Sequence, residues 1–159
     1  MKMRMHYALL VLFVLIISSC GKEGIEDTVI IESENAITVE EELLIIINQH
    51  RSDEGFDTLS YSDIAYKYAN EHTDYMIAMG DINHDNFSSR ASNVSNEDNA
   101  LAVSENVAKN YETAKIAFER WYSSEEHRNA IDGDFTHTAV SVKKDELGKL
   151  YFTQIFYKK

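Results

Sequence analysis

Apolar positions recur at helical intervals through most of the chain and switch to strand-like spacing near its end. From Thr38, the apolar residues Leu43, Leu44 and Ile47, followed by His50 or Arg51, fall on one helical face. Thr38 and Glu41 have the spacing of a capping box, so a first helix is expected to start there and open the folded domain. A second stripe runs from about Ser62 to Met79 through Ile64, Ala65, Tyr68, Ala69, His72, Tyr75 and Met76, and Gly80 supplies its stop. His72 lies on or beside that stripe and is read as a core or cleft-edge histidine, not a ligand. Residues 81–100 are rich in Asn, Ser and Asp and predict a loop holding no more than a short helical turn. A third helix fits 112–123, with Ile116, Ala117, Phe118 and Trp121 inward. Ser124 is placed to cap a short helix through Ile131, with Glu125 and Glu126 in its first turn.

The period then changes. "HTAVSVK" (137–143) and "LYFTQIFYK" (150–158) are β-branched and aromatic, and "DELGK" separates them, which predicts a β-hairpin. Helices followed by an antiparallel pair indicate an α+β domain whose small antiparallel sheet is covered by helices. Lys143, Lys144, Lys158 and Lys159 read as edge lysines that discourage strand addition. One stretch resists the pattern. In "LAVSENVA" (101–108) the flanks look like core, yet Glu105 sits among them, and a carboxylate there needs a partner.

The start of the chain bears on location. Lys2 and Arg4 precede the apolar run "ALLVLFVLII", which is shorter than the roughly 20 residues that span a bilayer as a helix, so a secretory signal is expected over 1–19. The run ends in "ISSC", which resembles the lipobox of bacterial lipoproteins. That resemblance implies lipidation of Cys20 and a membrane-anchored place in the bacterial cell envelope, on the outer membrane or surface if the cell is Gram-negative. Residues 20–37 then form an acidic tether, and 38–159 the domain. Cys20 is the single cysteine, so no internal disulfide framework or multi-cysteine metal site is available. Lys2 and Arg4 are two of 15 basic side chains; the other 13 face 27 acidic ones, a formal charge of −14. Such a surface repels nucleic acid, which is not an expected partner.

There is no G-x-S-x-G elbow, H-E-x-x-H, Walker loop or G-x-G-x-x-G in the chain. What remains is a set of histidines and acids in polar segments: His84, Glu105, Glu125, Glu126, His127 and His137. Four stretches in order, "INHDNFSSR" (82–90), "SENVA" (104–108), "WYSSEEHRNAI" (121–131) and "YFTQIF" (151–156), resemble the bacterial branch of the CAP superfamily of cysteine-rich secretory, antigen 5 and pathogenesis-related 1 proteins, also called SCP-like domains. The resemblance covers roughly 40–157 and implies an α-β-α sandwich. It also implies that His84, Glu105 and His127 meet in a central cleft. Two imidazoles and a carboxylate would suit Zn²⁺ or a similar divalent ion with an open position. Equally, they would suit a hydrogen-bonded network that is purely architectural. Asn106, Glu125, Glu126 and His137 are further candidates for the cleft, and Arg90 and Arg128 have abundant acids to pair with.

The chain also departs from the family's pattern. Glu125-Glu126 replaces Pro-Gly before His127, Ser124 stands where eukaryotic relatives carry an acid, and Ala139-Val140-Ser141 replaces Gly-Val-Gly. Three functions follow as expectations. The first is an anchored module binding a small-molecule, lipid or cell-envelope ligand, with or without a divalent ion. The second is a metal-assisted hydrolase with Glu105 as general base. The third is a structural or interaction domain of the envelope.

Overall fold

The computed structural model describes residues 30–159, so the expected leader, Cys20 and most of the tether lie outside the described residues. Five helices and four strands follow in the order α1 (Ile37–Asp53), β1 (Ser60–Tyr61), α2 (Asp63–Met79), α3 (Phe87–Asp98), β2 (Ala102–Lys109), α4 (Ala114–Ser123), α5 (Glu125–Ile131), β3 (His137–Lys144) and β4 (Leu150–Lys158). No described helix is long and apolar enough to cross a membrane.

The hairpin forms as its sequence predicts. β3 and β4 pair antiparallel from His137 opposite Tyr157 to Lys144 opposite Leu150. Asp145 Oδ1 closes the turn by accepting from the backbone N–H groups of Leu147 (2.9 Å) and Lys149 (2.8 Å). Gly148 supplies the positive φ of 77° that the turn needs. β2 joins the outer side of β4 antiparallel, and β1 adds a two-residue parallel contact to β3, giving the order β1-β3-β4-β2.

Register makes this sheet the middle of an α-β-α sandwich. Glu105 lies opposite Ile155, and Ile155 opposite Ala139, so odd-numbered positions share a face across all three long strands. Ala139, Ile155 and Tyr157 pack with Ala65, Tyr68 and Ala69 of α2 and Val94 of α3. Even positions Ala108, Val140, Val142, Phe152 and Phe156 pack with Leu43 and Ile47 of α1, Ala117 and Trp121 of α4 and Ile131 of α5. Trp121 is core, and its indole N–H donates to Val107 O at 3.1 Å. Ile116, expected inward, is 37% exposed, and Ala114, one turn before Ala117, takes a buried place instead.

Helix ends follow the sequence in part. Ser62 caps α2 by accepting from Ala65 N, Thr113 caps α4, and Gly80 ends α2 in the left-handed region at φ 70°. The Thr38–Glu41 capping box does not form: α1 begins at Ile37 behind Ala36, with no side-chain cap. Ser124 occupies the cap position of α5 without a cap hydrogen bond. The polar stretch 81–100 holds a full helix, α3, bounded by Asn86 and Asn99 at φ 59° and 57°. Only Arg90 and Val94 of α3 are buried, one turn apart, which is too narrow a stripe for hydrophobic periodicity to reveal.

The chain ahead of α1 is built into the sheet. Asn35 makes an antiparallel bridge to Lys143, and Ala36 N donates to Val142 O at 2.7 Å. Glu40 Oε1 accepts from Val142 N at 2.7 Å, so the outward-facing backbone of Val142 is fully engaged. Lys143 is not a solvated edge lysine. Its ammonium is completely buried and pairs with Asp74 of α2 at 2.6 Å, while Ser33 N donates to the other oxygen of Asp74 at 2.8 Å. Removing Asp74 leaves that ammonium buried with only the exposed Glu32 carboxylate, 3.9 Å away, facing it. Asp74→Ala is therefore expected to lower unfolding stability by roughly 3–5 kcal/mol. Asp74→Ala combined with Lys143→Met should recover most of the loss in urea denaturation. A cost below about 1 kcal/mol for the single variant would mean that water reaches the pair.

Candidate functional site

Glu105 projects from the odd-numbered face of β2, towards α3 and the loop before it. Its side chain is 1% exposed, and an unpartnered carboxylate there would be strongly disfavoured. Arg90 of α3 answers it with a two-pronged contact, Nε to Oε2 at 2.8 Å and Nη2 to Oε1 at 2.7 Å. Arg90 Nη1 donates to Asp85 O at 2.5 Å, which fixes the loop carrying His84. His84 Nδ1 then lies 2.9 Å from Glu105 Oε1. A carboxylate facing Nδ1 fixes the neutral ring's tautomer, with the proton on Nδ1 and Nε2 as the acceptor. The His84 side chain is 52% exposed, so that acceptor is presented to solvent at the edge of the sheet.

A third imidazole flanks the pair. His72 Nε2 is 2.8 Å from Asn83 O and 3.8 Å from Glu105 Oε1, and its ring stacks on Tyr75 at 5.9 Å. Burial holds its pKa below the ordinary histidine value; Glu105 acts in the opposite sense and Arg90 reinforces the lowering. The Tyr75 hydroxyl donates to Asp85 at 3.0 Å. His72 thus sits in the core beside the cleft, as its place on the helical stripe suggested.

His127 lies on the other side of β2. The strand turns Asn106 to the even-numbered face, where its side-chain amide donates to His127 O at 3.1 Å. Glu105 and the backbone of His127 are therefore held by neighbouring residues on opposite faces of one edge strand. The His127 ring keeps Nδ1 buried without a hydrogen-bond partner. Its pKa is lowered, first by burial and next by His84, with Glu126 acting in the opposite sense. Glu125 and Glu126 are exposed in the first turn of α5, where acids favour the helix start. His137 lies elsewhere, at the start of β3, stacked on Tyr157 at 4.9 Å. Cys20 is outside the described residues.

The donor set bears directly on the divalent ion implied by the resemblance. Both Glu105 oxygens are taken by a guanidinium, so the carboxylate does not fit as a ligand while Arg90 is in place. Among the described residues no three His, Cys, Asp or Glu side chains converge where an ion could sit. The Nε2 side of the His84 ring faces solvent while Glu105 holds its Nδ1, an arrangement common around metal-binding histidines, and His127 Nδ1 is the other imidazole nitrogen left without a partner. Arg90 is the residue whose role the sequence left open. Its signal was its four-residue spacing from Val94 in a segment with few other apolar positions.

A family model described as CAP, the cysteine-rich secretory protein family, matches residues 44–156. No curated protein matches the chain. Among solved structures it is similar to an outer surface protein from Borrelia burgdorferi, at TM-score 0.72 and 18% identity over 80% of this chain and 97% of that one. It is similar also to a cysteine-rich secretory protein from Staphylococcus aureus, at TM-score 0.67 and 16% identity over 79% of this chain. A third is an extracellular protein containing an SCP domain from Bacillus anthracis, at TM-score 0.68 and 20% identity over 77% of this chain. The match covers 40% and 41% of these last two chains. At these identities the likeness is one of fold.

Two outcomes test the site's electrostatics. Arg90→Ala strands a buried carboxylate and should cost roughly 3–5 kcal/mol in chemical denaturation, against about 1 kcal/mol for the half-exposed His84→Ala. The lowered pKa values of His72 and His127 also set a pH window. An unfolded chain protonates these rings near pH 6.5 whereas the folded chain keeps them neutral, so their contribution is complete above about pH 6.5 and is lost as pH falls below it. Urea midpoints should drop from about pH 7.5 to about pH 5.5, and drop less in His72→Gln. An unchanged drop would assign the effect to other groups.

Proposed function

This chain belongs to the CAP family, and from that premise we propose that it is an extracytoplasmic, lipid-anchored binding module whose cleft is built on His84 and His127. The observation that carries the reading is the orientation of His84. Glu105 holds Nδ1, Arg90 holds Glu105, and the Nε2 side of the half-exposed ring is left open at the strand edge. A ligand donor group or a divalent ion would be held there by His84 Nε2 and the ring of His127. A bound ion would supply an electrophilic point for an anionic or carbonyl-bearing ligand. Binding is favoured over hydrolysis by the state of Glu105. A general base must be free to take a proton, and this carboxylate can do so only by giving up Arg90. The anchored, surface-exposed setting is supported by the leader and "ISSC" of this sequence, and by similar folds whose names place those proteins outside the cell.

Titration of tag-free protein with Zn²⁺ or Co²⁺ tests the cleft. One site is expected, lost in the His84→Ala plus His127→Ala variant and weakened about 10- to 100-fold in Glu105→Gln. Binding that survives the double histidine variant would remove the ion from this cleft. In cells, Cys20→Ser should shift the protein from the membrane fraction to the soluble one, and an unchanged distribution would overturn the lipid anchor.

A further inference from the structure

A cavity of about 490 Å³ lies between the end of α1 and the loop leading into β3, and neither His84, Glu105 nor His127 lines it. Its size falls within the range of small-molecule sites. Its floor is Arg51, which is only 2% exposed. Arg51 Nε donates to Asp57 O at 2.7 Å, and Nη1 donates to Ile131 O at 2.5 Å and Gly133 O at 3.0 Å, so the loop at Asp57 and the stretch 131–133 are both tied to the end of α1. Gly133 lets the far wall close: a Cβ there would come within 2.8 Å of Asn129 O and 2.6 Å of the Phe135 ring. The floor and walls are thus fixed.

The polar groups that line this cavity are incompletely used. Nη2 of Arg51 donates to no acceptor among the described residues, although its other donors are engaged. Nη2 is not among the side-chain atoms shut off from water, so an incoming oxygen can reach it from the cavity and accept from it. Asp57 makes no ion pair or side-chain hydrogen bond among the described residues, and Asp132 meets His50 Nε2 at 2.9 Å and the Tyr122 hydroxyl. A simple anion would meet these carboxylates and be repelled. A simple cation would leave the arginine donor unsatisfied. A molecule carrying both charges on adjacent carbons satisfies both. The rings of Phe56 and Phe135 add apolar surface to the same lining, with Phe56 stacked 5.7 Å from the Arg51 guanidinium.

We propose that this cavity is a second ligand site, for a zwitterionic α-amino acid whose carboxylate takes Arg51 Nη2, whose ammonium takes Asp57 and Asp132, and whose side chain lies against Phe56 and Phe135. His137 also lines the cavity and provides a reporter ring.

The test uses L-phenylalanine, with phenethylamine and 3-phenylpropionate as analogues that each keep one charge. In NMR titrations of the full domain, L-phenylalanine should shift the His137 ring resonances along a single-site isotherm. Each analogue should bind at least about tenfold more weakly. Asp57→Asn changes an exposed side chain and should preserve the fold while weakening L-phenylalanine about tenfold. His84→Ala should leave the affinity unchanged, which separates this site from the other cleft. The site is overturned if L-phenylalanine leaves His137 unmoved, if either analogue binds as well, or if Asp57→Asn has no effect.

Discussion

A carboxylate placed in the middle of an edge strand, facing inward, sets the terms for the whole region around it. Glu105 can be buried only because Arg90 meets both its oxygens. That requirement explains why residues 87–98, with two buried side chains, are a helix at all: α3 positions one guanidinium and one valine against the sheet. The same guanidinium grips the loop through Asp85 O, and the loop presents His84 to the carboxylate it would otherwise miss. Core, loop and cleft are one electrostatic assembly.

The two faces of the sheet differ in kind. The face under α1, α4 and α5 is a continuous apolar cluster built on Leu43, Trp121, Phe152 and Phe156. The face under α2 and α3 is interrupted: Glu105 with Arg90, Lys143 with Asp74, and Thr73 hydrogen-bonded to Thr153 break its apolar surface into two smaller clusters. Stability is concentrated on the first face, and charge is placed on the second. Such a division leaves ionisable groups near the surface without hollowing the principal core. β2 stands at the sheet edge, with Arg90 of α3 bound on one face and the backbone of His127 of α5 on the other.

How much of this could be read from the chain depended on what held each element. α1, α2 and the hairpin are held by apolar stripes and by residues such as Ser62, Gly80 and Gly148, whose local preferences agree with the fold, and they were legible. α3 is held by Val94 and one ion pair to β2, and β2 by its ladder with β4, while "SENVA" contains few strong strand formers. Their conformation is imposed by partners far along the chain. Lys143 failed for the same reason: a lysine near a strand end ordinarily faces water, and only the position of Asp74 reveals otherwise. The juxtaposition of His84 and Glu105 was legible through the family motifs. Residue spacing gave no sign that Asn106 would place the backbone of His127 across the strand, or that Arg90 would claim the carboxylate first.

The short run from Ser33 to Ala36 also decides how the domain bears force. A pull on the chain upstream of Ile30 reaches Ser33 and its bond to Asp74 first, then the Asn35–Lys143 bridge, and only afterwards α1. These contacts lie in series along a sheet edge, so they open one at a time like a zipper, while the hydrophobic interior shares its load across many residues at once. The entry segment is a mechanical fuse: tension is spent on peeling a few hydrogen bonds before any of it reaches the helices that surround the cleft.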